Sequence, residues 1–312
     1  MLTVLQTALE VGLIYGLVAL ALFISFSILN IADLSTDGCF TLGCAVGAML
    51  TIAGHPILAL FAAMAAGMLS GYVTAFLQTR LGVESILAGI ISNTGLYTIN
   101  LAVMGFSSNV SITGVDTVFS LFKGLVGGQW SRLILLALIA AVVVIVLIRF
   151  FGTSLGLSIR ATGDSLDMVS ASSINPKATI TIGLCLANAL TALSGCLIGE
   201  YNKFCDINLG TGMVTIALAS LIIGEVFAGH RGGVGKRVVC VVLGSIVYRF
   251  IIALALRLNI SAEYFKLVSA VIVAVAIAAP NMKGYVHLAK IKSNAQQLRG
   301  FRCLAFRALH AL

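Results

Sequence analysis

Residues 38–79 read GCFTLGCAVGAMLTIAGHPILALFAAMAAGMLSGYVTAFLQT, a run of 42 residues without Asp, Glu, Lys or Arg. Because about 20 mainly apolar residues are needed to cross the hydrocarbon core of a bilayer, this run predicts two crossings with a turn at His55-Pro56. The chain is 60% hydrophobic and 10% charged, whereas soluble domains average about 45–50% and about 25%. The sequence therefore predicts a polytopic membrane protein.

Further charge-free runs extend this pattern along the chain and predict an all-α, polytopic bundle of about eight or nine transmembrane helices. The first run lacks a basic flank and a small-residue cleavage site, so we expect a retained helix rather than a signal peptide. The gaps are too short for a soluble domain, which leaves one transmembrane domain over residues 1–285 and a basic cytoplasmic tail over 286–312. The predicted segments lie near residues 8–29, 36–54, 57–79, 85–105, 131–150, 178–199, 208–227, 238–256 and 264–280.

The distribution of Lys and Arg predicts the orientation, since these residues concentrate on the cytoplasmic side of short loops. From Asn281 onward the chain has six cations and no acid, which places the C-terminus in the cytoplasm. These cations account for most of the net charge of +8, so the basicity is topological and does not indicate nucleic-acid binding. Counting back puts Arg80 and residues 149–177 inside, and the loops 106–130 and 200–206 outside. The side of the N-terminus stays open.

Small residues in the apolar runs indicate close helix packing. The seven cysteines show neither C-x-x-C spacing nor an accompanying His cluster, so we interpret them as packing residues and predict no metal site. Glycines four residues apart let helix backbones approach closely in lipid. The pairs are Gly12 and Gly16, Gly43 and Gly47, Gly67 and Gly71, and Gly195 and Gly199.

The most informative cytoplasmic stretch runs from Gly152 to Lys177 and reads GTSLGLSIRATGDSLDMVSASSINPK. It predicts one short helix that begins at Ser165, is capped by Asp164, carries Asp167 in its first turn and ends before Asn175-Pro176. Small residues along it would allow another protein to approach. Spacing alone leaves an ordinary ordered loop equally open.

Catalytic motifs are not found in the sequence: it has no G-x-S-x-G, no H-E-x-x-H and no close carboxylate pair with a base. We therefore expect a protein that is not an enzyme. Residues 232–237, GGVGKR, superficially resemble a phosphate loop, but that motif requires Gly at 230 and Ser or Thr at 237. His230 and Arg237 occupy those places. The chain is predicted to bind no nucleotide or other cofactor of its own.

Uncharged polar residues inside the apolar runs are candidates for lining a solute path, since an unpaired polar group in lipid is costly. Asn93, Thr94 and Asn100 fall in one segment and Asn188 in another. Hydrogen bonding between helices is their alternative role.

Four ionisable residues are further candidates. Arg249 could bind a substrate carboxylate or pair with Glu225, and the competing interpretation is that it extends toward the outer interface. Asp33 and Asp37 flank a polar break between the first two apolar runs. Capping of the next helix explains Asp37 as well as a functional role does.

Five short segments, in a fixed order, carry a resemblance that covers most of residues 10–285. They are ADLSTDG at 32–38 followed by Leu42-Gly43, ILAGI at 86–90 with TGLY at 94–97, IRATGD at 159–164, ALASLIIGE at 217–225 and Tyr248-Arg249. Together they resemble the membrane permease subunits of ATP-binding-cassette importers of the branched-chain amino acid type, with the greatest similarity to tryptophan and tyrosine permeases.

This resemblance implies alternating access driven by two partner ATPases, which would use ATP and Mg²⁺, with an extracytoplasmic protein delivering the solute. The loop from Arg160 to Asn175 would form the coupling helix that docks on an ATPase, which assigns Gly163, Asp164 and Asp167 to the contact together with Arg160. Asp33 and Asp37 would lie near the path. A second permease subunit is expected; a homodimer is favoured and a heterodimer stays open.

The same resemblance implies a bacterial cytoplasmic, or inner, membrane and an amino acid substrate, aromatic or branched-chain. A sugar or nucleoside is the alternative substrate. A secondary transporter or channel is the alternative class, although such proteins usually carry repeated broken helices around a midplane site and no convincing duplication is visible. A structural or enzymatic membrane protein is the remaining alternative.

Overall fold

The computed structural model describes residues 2–128, 130–229 and 233–257, together with residues 270, 271 and 274. It confirms an all-α membrane protein, and over these residues one two-stranded β ladder joins two loops. The helices are α1 (Leu2–Leu22), α2 (Thr36–Ile52), α3 (Pro56–Thr79), α4 (Ser85–Val103), α5 (Val118–Val126), α6 (Ser131–Phe151), α7 (Ser154–Asp164), α8 (Leu166–Ala171), α9 (Pro176–Asn202), α10 (Met213–Ala228) and α11 (Val234–Arg257). The strands are β1 (Asn109–Ser111) and β2 (Phe204–Asp206).

Within these residues, six helices are long and apolar enough to cross a membrane, namely α1 with its π-helical extension Phe23–Ile28, α3, α4, α6, α9 and α11. The apolar helices α2 and α10 are shorter. These eight elements match eight of the nine predicted segments. The ninth, 264–280, and the basic tail fall outside the described residues apart from isolated positions, so the total of eight or nine spans stays a prediction.

The core of the bundle is α9, the most deeply buried of the described spans, and it packs against α1, α2 and α3. Glycines make this close packing possible. A side-chain carbon on Gly43 would overlap the carbonyl of Ala192, and one on Gly195 would overlap the carbonyl of Phe40. All eight glycines of the four predicted pairs face a neighbouring helix, with an atom of that helix within 3.1 Å of an added side-chain carbon, which confirms that they mediate close helix packing.

The polar break between the first two apolar runs is present. Residues 29–35 are not helical, and α2 begins only at Thr36. Asp33 stabilises the break because its carboxylate accepts hydrogen bonds from the backbone N–H of Ser35 at 2.8 Å and from the Ser35 hydroxyl at 2.6 Å. The break leaves α2 with 17 residues, fewer than the about 20 of a typical crossing.

The loops lie at two ends of the bundle. Strands β1 and β2 pair antiparallel, with Val110 opposite Cys205, so the two loops predicted to share the outer side do lie at one end. Arg80 and Lys177 line a common groove at the other end, as their shared predicted side requires. The compartment that each end faces stays a prediction.

The prediction of one short helix between Gly152 and Lys177 is wrong, because two helices form there. Helix α7 is capped by Thr153, whose hydroxyl accepts from the N–H of Gly156 at 3.3 Å. Asp164 is the last residue of α7, and Ser165 caps α8 by accepting from Met168 N–H at 3.3 Å. The extended backbone at Ser165 permits this contact, whereas Asp164 is helical and does not cap.

The other parts of that prediction have different outcomes. Asp167 does lie in the first turn of α8. Asn175 and Pro176 begin α9 rather than end α8, which stops at Ala171. Helix α7 was missed because its buried residues, Gly156, Ile159 and Thr162, include a single large apolar side chain. These three residues recur every third position, as on one face of a helix, but too few of them are apolar to produce a clear helical pattern in the sequence.

Candidate functional site

A polar pocket of about 300 Å³ lies between the first turn of α2, the middle of α4 and residues 207–211. Four of the predicted path residues, Asp37, Asn93, Thr94 and Asn100, line it together. They come from two different helices, so the tertiary structure brings them to one place. The remaining lining residues are Gly38, Thr41, Tyr97, Ile207, Asn208 and Thr211.

Asp37 caps a helix, but that helix is α10 and not α2, the next helix in the chain. Its two carboxylate oxygens accept hydrogen bonds from the backbone N–H groups of Gly212 and Val214, each at 2.9 Å. These groups belong to the start of α10, where backbone donors have no partner within the helix. The negative charge also complements the positive end of the α10 dipole. Asp37 therefore ties α2 to α10, and of the two roles that the sequence left open the capping of α2 is wrong.

The segment 207–212 forms one wall of the pocket and is held firmly against α2. The N–H of Gly210 donates to the Thr41 hydroxyl at 3.1 Å. A side chain on Gly210 would overlap the carbonyl of Asp37, so the two backbones touch directly. The pocket wall and the first turn of α2 consequently form one unit.

Asn100 and Asn93 contact the same turn of α2 from α4. The Asn100 carboxamide N–H donates to the carbonyl of Gly38 at 3.0 Å, while its buried oxygen has no hydrogen-bond partner. A side chain on Gly38 would collide with the Asn93 carboxamide oxygen. Both asparagines thus lie against the backbone at the start of α2.

Asp33 and Asn188 do not line this pocket but bond to each other within the bundle. The Asn188 carboxamide donates to Asp33 at 2.9 Å, and both residues are buried. Asn188 lies near the middle of α9 (Pro176–Asn202), so the non-helical break between α1 and α2 reaches half-way along the central helix. The Asn188 oxygen is buried without a hydrogen-bond partner.

Glu225 forms the one salt bridge found among the described residues. It pairs with the Arg237 guanidinium at 2.6 Å, and both side chains also bond to the Ser27 hydroxyl. The guanidinium lies over the ring of Phe23, 5.1 Å from its centroid. This cluster joins α10 and α11 to the π-helical end of α1.

The suggested pair of Glu225 with Arg249 is therefore wrong. Arg249 lies 12 residues beyond Arg237 along α11, which is about 18 Å at 1.5 Å per residue. Its guanidinium lies over the Tyr15 ring, 3.8 Å from the centroid, and its buried Nε has no partner. Arg249 lines a second cavity of about 330 Å³ between α1 and α11, so neither residue belongs to the polar pocket.

The four predicted ATPase-contact residues lie together on α7 and α8. Asp164 and Asp167 are exposed, and Arg160 is partly buried. Gly163 packs so closely on the carbonyl of Ile28 that a side-chain carbon would overlap it. Helix α7 therefore rests directly on the end of α1. We call the exposed side chains of Asp164, Leu166, Asp167 and Met168 the α7–α8 surface.

Sequence reasoning missed several residues that the structure places at these sites. Tyr97 lines the pocket and follows Asn93 by one helical turn, a spacing that could have indicated it. Asn208, Thr211, Ser27 and Arg237 fall outside the apolar runs or at their edges, and no local signal relates them to their partners. Two buried acids were also missed, Glu10 and Glu200.

Glu200 and Glu10 link neighbouring helices near the β-ladder end of the bundle. The Glu200 carboxylate accepts from the Thr51 hydroxyl at 3.1 Å and from Val118 N–H at 2.8 Å. Glu10 accepts from the Tyr201 hydroxyl at 2.9 Å. Carboxylates at the edges of apolar runs are costly unless they are paired, and that cost is the signal that could have drawn attention to them.

A family model described as the permease component of the branched-chain amino acid transport system matches residues 4–277. The chain belongs to this permease family. The chain is similar to a tyrosine transport system permease protein of Clostridioides difficile (strain R20291), with 32% identity over 87% of this chain and 89% of that protein. It is also similar to the uncharacterized protein RP368 of Rickettsia prowazekii (strain Madrid E), with 30% identity over 88% of this chain and 96% of that protein. No solved structure matches significantly.

Membership in this permease family confirms the resemblance drawn from the sequence. It indicates a transport subunit rather than an enzyme. The several apolar helices of the permease agree with a multi-pass membrane protein.

In this permease, replacing Asp37 with Ala is expected to lower the free energy of unfolding by about 0.5–2 kcal/mol, the usual cost of losing an N-cap. Asp37→Asn should cost less because it keeps one acceptor oxygen. Thermal unfolding in detergent measures the effect, with Asp116→Ala as the control, since Asp116 is an exposed loop acid that bonds to the Ser120 hydroxyl. Equal stability of Asp37→Ala and Asp116→Ala would contradict the cap.

Proposed function

We propose that this permease is the membrane-spanning subunit of an ATP-binding-cassette importer that moves an amino acid, aromatic or branched-chain, across a bacterial cytoplasmic membrane. Family membership and the similarity to a tyrosine transport system permease support the substrate class. Two partner ATPases supply ATP hydrolysis, and an extracytoplasmic binding protein delivers the solute. The C-terminus and the α7–α8 surface face the cytoplasm.

The contact of α7 with α1 is the single observation that carries the coupling role. The α7–α8 surface exposes Leu166 and Met168, 54% and 56% accessible, on either side of Asp167 in the chain and close to Asp164 in sequence. Apolar side chains flanked by charge are suited to a protein partner. Force on this surface passes to the membrane helices because Gly163 lies against the Ile28 carbonyl.

The polar pocket is the candidate for the solute path. Asp37, Asn93 and Thr94 supply carboxylate, carboxamide and hydroxyl groups beside the ring of Tyr97. Helix α4 is little buried in the single chain, and Thr94 and Tyr97 are exposed on it. We propose that a second copy of the permease packs near this face, so that two pockets line one central path that opens alternately to each side.

The roles of the remaining polar residues follow from their contacts. Asp33 and Asn188 hold the break beside α9 and thereby fix where α2 starts. Glu225 and Arg237 hold α10 and α11 against the end of α1, next to the residue that α7 contacts. These groups position the path and transmit movement, whereas Asp37, Asn93 and Thr94 face the solute.

Co-purification tests the coupling role. The tagged chain, expressed with its partner genes, is purified in mild detergent from cells carrying the parent sequence or Asp164→Lys with Asp167→Lys. We expect an ATPase to co-purify with the parent and to be lost from the variant. An ATPase surface that is complementary to two carboxylates would repel the two lysines that replace them. Glu84→Lys with Asp116→Lys is the matched control, since both residues are exposed and lie outside α7 and α8.

Retention of the ATPase by the Asp164 and Asp167 variant would mean that the ATPase does not dock on the α7–α8 surface. Absence of any ATPase from the folded parent would favour a transporter that acts alone. Uptake of labelled tyrosine, tryptophan and leucine by the reconstituted complex then tests the substrate class, with a sugar and a nucleoside as competitors.

A further inference from the structure

A groove of about 310 Å³ lies between the last turn of α3 and the first turns of α9, at the end of the bundle opposite the β ladder. It is separate from the polar pocket and shares no lining residue with it. It also lies outside the α7–α8 surface. Nothing in the proposed transport cycle uses it.

Two cations from different helices face this groove. Arg80 directly follows the last residue of α3, and Lys177 is the second residue of α9. Both side chains are exposed. No acid lines the groove, and the salt bridge recorded in the described part of the chain involves neither cation. The groove therefore has uncompensated positive charge and is suited to an anion.

The remaining wall of the groove is apolar and continues onto the outer face of α3. Tyr72 and Phe76 lie with their ring centroids 6.4 Å apart and are about half exposed. Leu69 and Val73, on the same face of α3, are 69% and 53% exposed. In a membrane-spanning helix such a face meets acyl chains. The occupant that fits charge at one end and hydrocarbon at the other is amphipathic.

We propose that this groove binds the head group of an anionic phospholipid. The phosphodiester lies between Arg80 and Lys177, with the hydroxyls of Thr79 and Thr181 on the groove wall. The acyl chains run along Tyr72 and Phe76. Ligand pockets span about 300–1,000 Å³, so a groove of this size holds a head group and leaves the chains in the bilayer. Basic pockets between transmembrane helices at the membrane surface bind such head groups.

This site would link lipid composition to transport. The groove joins α3 to α9, and Asn175, which caps α9, also lines it. Asn175 follows α8 after three residues. A bound phosphodiester would hold the start of α9 beside the end of α3 and thereby restrict the segment that connects the α7–α8 surface to the core.

Lipid titration of the intact, delipidated permease in neutral detergent tests the proposal. Native mass spectrometry counts lipid adducts with phosphatidylglycerol, and phosphatidylethanolamine serves as the zwitterionic comparison. We expect Arg80→Gln with Lys177→Gln to weaken phosphatidylglycerol binding about 25-fold, because each cation at an anionic lipid surface contributes roughly a factor of 5. The matched control is Arg149→Gln with Lys236→Gln, which removes two exposed cations from outside the groove.

A second variant keeps the charge and fills the space. Ala178 is exposed and lines the groove, so Ala178→Trp should displace the lipid without removing a cation.

Soluble glycerol 3-phosphate and inorganic phosphate should not compete, because they lack the acyl chains. Equal losses in the Arg149 and Lys236 control, unchanged adducts in Ala178→Trp, or full competition by glycerol 3-phosphate would each overturn a specific lipid site. Loss of ATPase co-purification with unchanged lipid adducts in the Arg80 and Lys177 variant would assign these cations to the protein partner instead.

Discussion

Replacing Gly195 with Val is expected to prevent assembly of the helix bundle. Gly195 lies on the central helix α9, and a side-chain carbon there would overlap the carbonyl of Phe40 and lie 3.1 Å from the backbone nitrogen of Cys44. Both contacts are backbone atoms of α2, which cannot rotate away as a side chain can. Overpacking a core typically costs about 1–3 kcal/mol, and here whole helices must separate. We expect at least about 3 kcal/mol, a large part of the about 5–15 kcal/mol that stabilises a folded protein.

Size-exclusion chromatography of detergent-solubilised protein and protease resistance measure this loss. Gly95→Val is the matched control, because it places the same side chain in the membrane helix α4, where nothing lies within 4 Å of the added carbon. Most of the Gly195→Val protein should leave the monodisperse peak while Gly95→Val remains there. A Gly195→Val protein as stable as the control would mean that α2 and α9 do not pack as described.

Replacing Gly163 with Val is expected to uncouple solute transport from the ATPase while the permease still folds and accumulates in the membrane. The new side chain would occupy the place of the Ile28 carbonyl and push α7 away from the end of α1. Neighbouring contacts depend on the same fit, since Gly183 of α9 meets Leu29 and Ile159 at this point. Coupling between sites is typically about 1–3 kcal/mol, or 5–150-fold, so uptake should fall at least about tenfold.

Gly152→Val is the control for this variant. Gly152 lies in the same loop with φ of −86°, which valine tolerates, and an added carbon would make only an ordinary contact with the Arg149 carbonyl at 3.4 Å. Uptake by the reconstituted complex, normalised to the amount of permease and to the bound ATPase, separates coupling from docking. Normal uptake by Gly163→Val, or an equal loss in Gly152→Val, would contradict transmission through the Ile28 contact.

The sequence identified the unusual polar residues but not their hydrogen-bond partners. Asn93, Thr94 and Asn188 were conspicuous because they lie inside apolar runs, where a polar group needs a partner, and Asp33 and Asp37 because they flank the polar break between two such runs. The identity of each partner was not accessible. Asp37 bonds to α10, 175 residues or more away along the chain, and Glu225 pairs with Arg237 rather than Arg249. Such pairs depend on how each helix is rotated, which periodicity does not report.

The sequence by itself determined that the protein is an all-α membrane protein, where eight of its apolar helices lie, that a polar break follows the first, and which glycines form helix contacts. These properties are local, since bilayer thickness and backbone hydrogen bonding constrain each segment separately. Only the tertiary structure decided that Asp37 caps α10, that α7 forms and rests on Ile28, and that Arg80 and Lys177 share a groove. Each of these requires a particular register between distant helices, and that register is set by the glycine contacts that bring backbones such as those of α2 and α9 into touch.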